Sequence, residues 1–232
     1  MTLARFGLYF VPQPGRLFEV GSAITGYNVR TGQTVGPPGF VMPEWQIGSS
    51  EFGFHVTVTD AIYFDPADLD HLRRHTREVL SCFNPANRYM LEKQHVEFWG
   101  EDNQLAVLKL QPNREVQMLH DVGVASLHPL GAGSEYTDAY QRDPAGYFSA
   151  SPFQINQTKH FYAPYIFDNF NPHFTLLNPY RGSPEEQRDI EARLVAEFEF
   201  VEELEIDSLA LVVQGAGEAH FRIVEEFSLH GQ

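Results

Sequence analysis

The amino-acid sequence predicts an α+β protein of two pseudo-symmetric lobes, each an antiparallel sheet with helices packed on one face, and a cleft between the lobes. Three observations carry this expectation. The order strand, helix, strand, strand occurs twice along the chain. In both copies a histidine stands eleven residues before a proline that opens a helix, His55 before Pro66 and His173 before Pro184, which sets the copies 118 residues apart. At 232 residues, 43% hydrophobic and 20% charged, the chain has enough apolar side chain for a sizeable core, which excludes disordered and fibrous classes. The expected organisation is one two-lobed domain over 1–232: a first lobe about 1–112, a connecting segment about 113–170, and a second lobe about 171–232, with the chain free to cross between lobes.

The elements follow in order. Phe6 to Val11 is an apolar first strand, and Gly15 to Tyr27 has room for a short helix. Thr31 to Ser50 is rich in Gly and Pro and reads as irregular loop. Phe52 to Phe64 alternates and carries Val, Thr, Ile, Tyr and Phe, the composition of a strand. Asp65-Pro66-Ala67-Asp68 then supplies an N-cap, a proline at the first helical position and a first-turn acid. Leu69, Leu72, Val79, Leu80 and Phe83 form the apolar face of the helix that follows, and Asn84-Pro85 stops it. Val96 to Trp99 and Leu105 to Leu110 are strands around a turn at 100–103.

Asn113 to Leu127 has a helical pattern, and a Gly-, Tyr- and Pro-rich stretch after it is expected to be loop or lid. Phe174 to Leu177 is the strand of the second copy. Ser183-Pro184-Glu185-Glu186 is a capping box with Pro at its first position, and its helix runs towards Phe200. Leu204 to Val213 and Ala219 to Phe227 close the chain as two strands.

Sixteen basic against 31 acidic residues give a net charge of -15, which opposes attraction to the phosphates of a long nucleic acid. RNA is therefore a disfavoured partner, whereas a small phosphate ester or nucleotide can be held by local donors. Cys82 is the single cysteine, so no intrachain disulfide or multi-cysteine zinc site forms, and its helical setting predicts a small core residue. No cofactor, metal or membrane partner is expected. The apolar run from Phe6 is interrupted by Pro12 and Pro14 and is too short for a signal segment, so a cytoplasmic location is expected.

Side chains at i and i+2 of a strand share a face. His55 and Thr57 thus emerge together with Phe54, Val56 and Val58 opposite, and His173 and Thr175 emerge together with Phe174 and Leu176 opposite. Random placement of this chain's His and Thr would yield roughly 0.4 His-x-Thr triplets, so two copies with the same step to a helix are a signal. Two imidazoles and two hydroxyls converging on one cleft suit a phosphodiester: one neutral His takes a proton from water, the other gives one to the leaving alkoxide, and the hydroxyls hold the non-bridging oxygens. In which order the histidines act is left open by the sequence. The same cleft without turnover would make a nucleotide-binding sensor. No G-x-S-x-G elbow, P-loop or G-x-G-x-x-G is present.

The segments Phe-His55-Val-Thr57-Val and Pro-His173-Phe-Thr175-Leu resemble the paired signatures of the two-histidine (2H) phosphoesterase superfamily. That resemblance implies two α+β lobes with both histidines in the cleft, and an activity like that of RNA 2',3'-cyclic phosphodiesterases and 2'-5' RNA ligase-like proteins. Phe6-Gly7-Leu8-Tyr9-Phe10-Val11 through Thr31-Gly32 is similar to the branch found with phosphonate-utilisation genes.

Secondary candidates are Tyr63 and Arg181, each eight residues beyond its histidine, as substrate-binding groups at the cleft mouth, with Arg181 offering a fork for phosphate. Lys159 and His160 beside Phe161 and Tyr162 have the composition of a basic, aromatic lid, and Tyr9, Tyr27 and Trp45 are possible base-stacking residues whose default role is packing. His71 and His75 have the i, i+4 spacing of helical metal ligands, but no third ligand accompanies them, so a solvated helix face is expected.

Overall fold

In the computed structural model the described residues are 2–100, 102, 104–144, 146 and 151–230. The chain is a mixed α+β protein with one eight-stranded antiparallel sheet, in the order β10-β9-β1-β4-β7-β6-β5-β8. The strands are β1 (Ala4–Phe10), β4 (Val56–Phe64), β5 (Met90–Trp99), β6 (Leu105–Pro112), β7 (His173–Leu177), β8 (Glu203–Glu205), β9 (Ser208–Gln214) and β10 (Arg222–Ser228); β2 (Tyr27–Asn28) and β3 (Gln33–Thr34) form a separate small hairpin. Each half of the sheet takes a hairpin from the other part of the chain. β5 and β6 lie beside β7, and β9 and β10 lie beside β1. The halves join through a single register pair, Val56 with Phe174.

Helices α1 (Arg16–Thr25), α3 (Leu69–Leu80), α4 (Arg114–Leu127) and α7 (Pro184–Glu197) contribute Ile24, Leu72, Leu119 and Leu194 to the main core, against Phe6, Leu8, Val56, Val58, Leu108 and Phe174 on one sheet face. Phe54 stacks on Phe174 with centroids 4.1 Å apart and on Phe198 at 5.9 Å, beneath the region where the two halves meet. The caps read from sequence are present. Asp65 accepts from the Ala67 amide at 3.0 Å, Asn113 from Val116 at 3.0 Å, and Ser183 with Glu186 closes a capping box.

Several expectations are corrected. The strand expected from Phe52 starts only at Val56, because α2 (Ile47–Phe52) takes up the start of that run and Gly53 turns the chain at φ 72°. The 31–50 segment holds β3, a 3-10 turn at Pro43–Trp45 and part of α2. The strand expected over Leu204 to Val213 is two, β8 and β9, placed on opposite sides of the sheet. The stretch after Leu127 is not a loop: it carries α5 (Glu135–Arg142), opened by a Ser134 and Thr137 capping box, and α6 (Pro152–Phe161). Cys82 is exposed, since α3 ends at Leu80 and its buried phase does not continue to that position. Of the turn at 100–103, Glu101 and Asn103 lie outside the described residues, as do 145 and 147–150 of the middle segment. Among the described residues no helix is long and apolar enough to cross a membrane.

Candidate active site

On the sheet face opposite the main core lies a cavity of about 710 Å³, lined by His55, Thr57, His173 and Thr175 together. Their convergence follows from the register. With Val56 paired to Phe174, a step of one residue in either direction sets His55 across from Thr175 and Thr57 across from His173. Val56 and Phe174 point the other way and are fully buried.

Both histidines are held alike. His55 Nδ1 lies 2.9 Å from the Gly53 carbonyl and His173 Nδ1 lies 2.8 Å from the Asn171 carbonyl, in each case two residues upstream. A carbonyl only accepts, so Nδ1 carries the proton in each ring and Nε2 is the nitrogen left for chemistry. Thr57 Oγ1 is 3.1 Å from His55 Nε2 and donates to it in the neutral ring. Tyr9 stacks flat on His55 with centroids 4.0 Å apart, and Trp99 meets His173 edge-on at 4.6 Å.

Burial lowers the pKa of His55 to about 4, and the nearby His173 pushes in the same direction, against the Gly53 hydrogen bond. The pKa of His173 is also lowered by burial, but the Asn171 carbonyl and the charge of Glu97 pull it back up. Glu97 acts on His173 and not on His55, so the two rings sit in different fields.

The remaining wall was not legible as motif. Arg5, on β1, is the single Lys or Arg on it among the described residues. Its Nε donates to Gln214 Oε1 at 2.7 Å, it pairs with Glu51 and Glu135, and it lies 5.1 Å from the Phe221 ring centroid. Asp60 and Ala61 reach the cavity because β4 carries two extra residues against β1: Tyr9 pairs with Thr57, Leu8 with Thr59, and Phe6 with Ile62. The middle segment supplies Tyr136, Gln154, Tyr165, Asn169, Phe170 and Asn171.

His120 braces this wall. Its Nδ1–H donates to the Val58 carbonyl at 2.6 Å, its Nε2 accepts from the Phe167 amide at 3.0 Å, and its ring stacks on Phe170 at 3.9 Å.

The secondary candidates are spread out. Tyr63 lines a neighbouring shallow cavity with Glu135, Asp138, Gln141 and Arg142, and its hydroxyl donates to Asp138 at 2.9 Å; burial is the first cause that raises its pKa to about 12. Arg181 is exposed in the loop after β7 and does not line the main cavity. Lys159 is exposed on α6, 5.1 Å from the Tyr140 ring centroid, and it too lies off the cavity. Trp45 and Tyr27 pack against Tyr180 and His220, whereas Tyr9 does face the site. His71 and His75 lie together on α3, and among the described residues no group of three or more His, Cys, Asp or Glu could hold a metal ion.

Fold and site together define an antiparallel α+β protein with a paired His-x-Thr cavity. The chain belongs to the family described as protein of unknown function DUF1045, whose model matches residues 85–222. No curated protein matches the chain. Among solved structures, a phosphoesterase is similar over 99% of this chain and 99% of its own, at 12% identity and a TM-score of 0.48. A conserved protein of unknown function from Agrobacterium tumefaciens covers 97% of this chain and 85% of its own, at 13% identity and 0.47. TT0787 of Thermus thermophilus covers 98% and 99%, at 14% identity and 0.46.

Proposed function

We propose that this protein is a phosphodiesterase of the 2H type that hydrolyses a small cyclic phosphate of a ribose or nucleotide by two-histidine acid–base catalysis. The observation that carries this assignment is the shared orientation of the two imidazoles. Each Nδ1 is tied to a carbonyl two residues upstream, each histidine has a threonine two residues downstream, and all four side chains border one cavity.

In this mechanism His55 is the general base, because it stays neutral through the neutral pH range. It takes the proton from a water whose oxygen attacks phosphorus. His173, favoured as the acid by Glu97, gives its Nε2 proton to the departing alkoxide as the P–O bond breaks. An anionic ester between the rings raises the proton affinity of His173 when it binds. When the ester binds, Thr57 turns its hydroxyl hydrogen from His55 Nε2 to a non-bridging oxygen, which frees Nε2 for the water, and Thr175 donates to another. Both proton transfers are then supplied by the two rings, and the next turnover requires only that a proton return from His55 to His173 through solvent.

The test is a set of single variants, His55→Ala and His173→Ala, assayed on nucleoside 2',3'-cyclic phosphates. Each is expected to lose at least about 100-fold in kcat/KM while unfolding like the wild type. Rates within threefold of the wild type in either variant would refute the assignment. Tight nucleotide binding by a wild type that forms no product would instead identify the cavity as a sensor.

A further inference from the structure

We propose that Asp60 is a substrate-binding residue of the same cavity, and that it selects phosphoesters carrying a hydrogen-bond donor, a hydroxyl or an ammonium, next to the phosphate. The inference rests on the phosphodiesterase reading and adds to it a residue outside both His-x-Thr motifs.

The first ground is placement. A regular β4 would alternate past Thr57, whereas one extra residue falls at Val58 and a second sets Asp60 and Ala61 together against the single Gly7 of β1, with both on the cavity wall. Bulges beside a site re-aim side chains into it.

The second ground is partnership. Among the described residues no ion pair joins Asp60, and no side-chain hydrogen bond is formed by its carboxyl. The cation on the wall, Arg5, is committed to Glu51, Glu135 and Gln214. A carboxyl kept in a partly buried wall without a partner costs stability, and burial accordingly pushes its pKa up to about 7. The groups that face it electrostatically are the Tyr9 hydroxyl from β1 and that of Tyr165 from the middle segment, each with a pKa raised in part by the Asp60 charge. Among the described residues nothing consumes the carboxyl, so a ligand group is its natural complement.

The third ground is charge. Beside Arg5 the wall carries the carboxyls of Asp60 and Glu135, so before His173 takes up its proton an entering anionic ester meets carboxylate as well as guanidinium. A donor on the substrate satisfies the carboxyl and offsets that repulsion. An ester without one leaves it unpaired, which discriminates against such substrates.

The experiment compares wild type with Asp60→Asn and Asp60→Ala on three esters: bis(p-nitrophenyl) phosphate, which has no donor; nucleoside 3',5'-cyclic phosphates, whose free 2'-hydroxyl adjoins the phosphate; and a 2-aminoethyl p-nitrophenyl phosphate, which has an ammonium. Both variants are expected to lose about 10- to 100-fold in kcat/KM on the donor-bearing esters, mostly through KM, and to stay within about threefold on the bis ester. A larger loss with the hydroxyl ester identifies a sugar phosphate, and a larger loss with the ammonium ester an aminoalkyl ester. An equal loss on all three esters, or no loss on any, overturns the role of Asp60 while leaving the two-histidine assignment standing. A wild type that cleaves none of the three overturns both.

Discussion

Replacing His120 by Phe tests the brace behind the site. The Phe ring preserves the stack on Phe170 but removes both hydrogen bonds of the imidazole. Val58 is skipped in the β1 pairing, so its carbonyl relies on His120, and the Phe167 amide donates to the same ring. Each buried backbone group left unpaired costs about 1–3 kcal/mol, so the substitution is expected to destabilise the protein by roughly 2–6 kcal/mol. In urea this appears as a midpoint lower by about 1–2 M with an unchanged slope.

The wild type carries an acid-sensitive signature of the same contacts. The folded-state pKa of His120 is lowered from the ordinary 6.5 of a histidine to about 4, chiefly by burial. Its contribution is therefore fully present above the unfolded value and lost as pH falls through the folded one. The full difference is about 3 kcal/mol, and His120→Phe should flatten that part of the profile between about pH 6.5 and 4. A loss below 1 kcal/mol at pH 7, or an acid limb as steep as in wild type, would show that ring stacking and not hydrogen bonding holds the wall.

Two further outcomes follow from the same geometry. Because the acid His173 has a lowered pKa in the free protein, the alkaline limb of kcat/KM is expected to bend below about pH 6.5, with the limb for kcat lying higher once an anion is bound; an alkaline limb above pH 8 in kcat/KM would exclude His173 as the acid. Gly21→Ala, favourable for an isolated helix, should instead destabilise by about 1–3 kcal/mol, because a Cβ there would overlap the Phe54 ring, which is fully buried and stacked on Phe174; a variant as stable as wild type by urea unfolding would refute that packing.

The parts of the fold legible in sequence are those set by short-range chemistry. Asp65-Pro66, Asn113 and Ser183-Pro184 mark helix starts because a cap needs one side chain and a few amides close by in the chain. The same kind of signal was present at Ser134 and at Ser151-Pro152, where Gly, Tyr and Pro in the neighbourhood masked two helices. The four motif residues were legible because alternation fixes their faces, and burial of Phe54, Val56, Phe174 and Leu176 then leaves the other face for His and Thr. Asp60 was not legible: its direction depends on two bulges, and a bulge is set by what the partner strand does. Arg5 and His120 were missed for a related reason. Arg5 enters the wall by the placement of β1, and His120 meets Val58 across 62 residues of chain.

What joins two separate motifs into one candidate site is the exchange of hairpins across the sheet. Had β5 and β6 folded back beside β4, and β9 and β10 beside β7, each histidine strand would be flanked within its own copy. Instead β1 and β9 fill one side of β4 while β6 and β5 fill the other side of β7, which leaves β4 and β7 as neighbours. Only then can Val56 face Phe174, and antiparallel geometry does the rest by pairing each histidine with the other strand's threonine. The single register pair matters for chemistry as well as topology. A full ladder of hydrogen bonds would draw the strands together along their length, whereas one pair, backed by the Phe54, Phe174 and Phe198 stack, holds the crossing point and leaves the cavity space on the other face. The spacing of the two imidazoles is thus fixed by apolar packing on the far side of the sheet, where a ligand has no access.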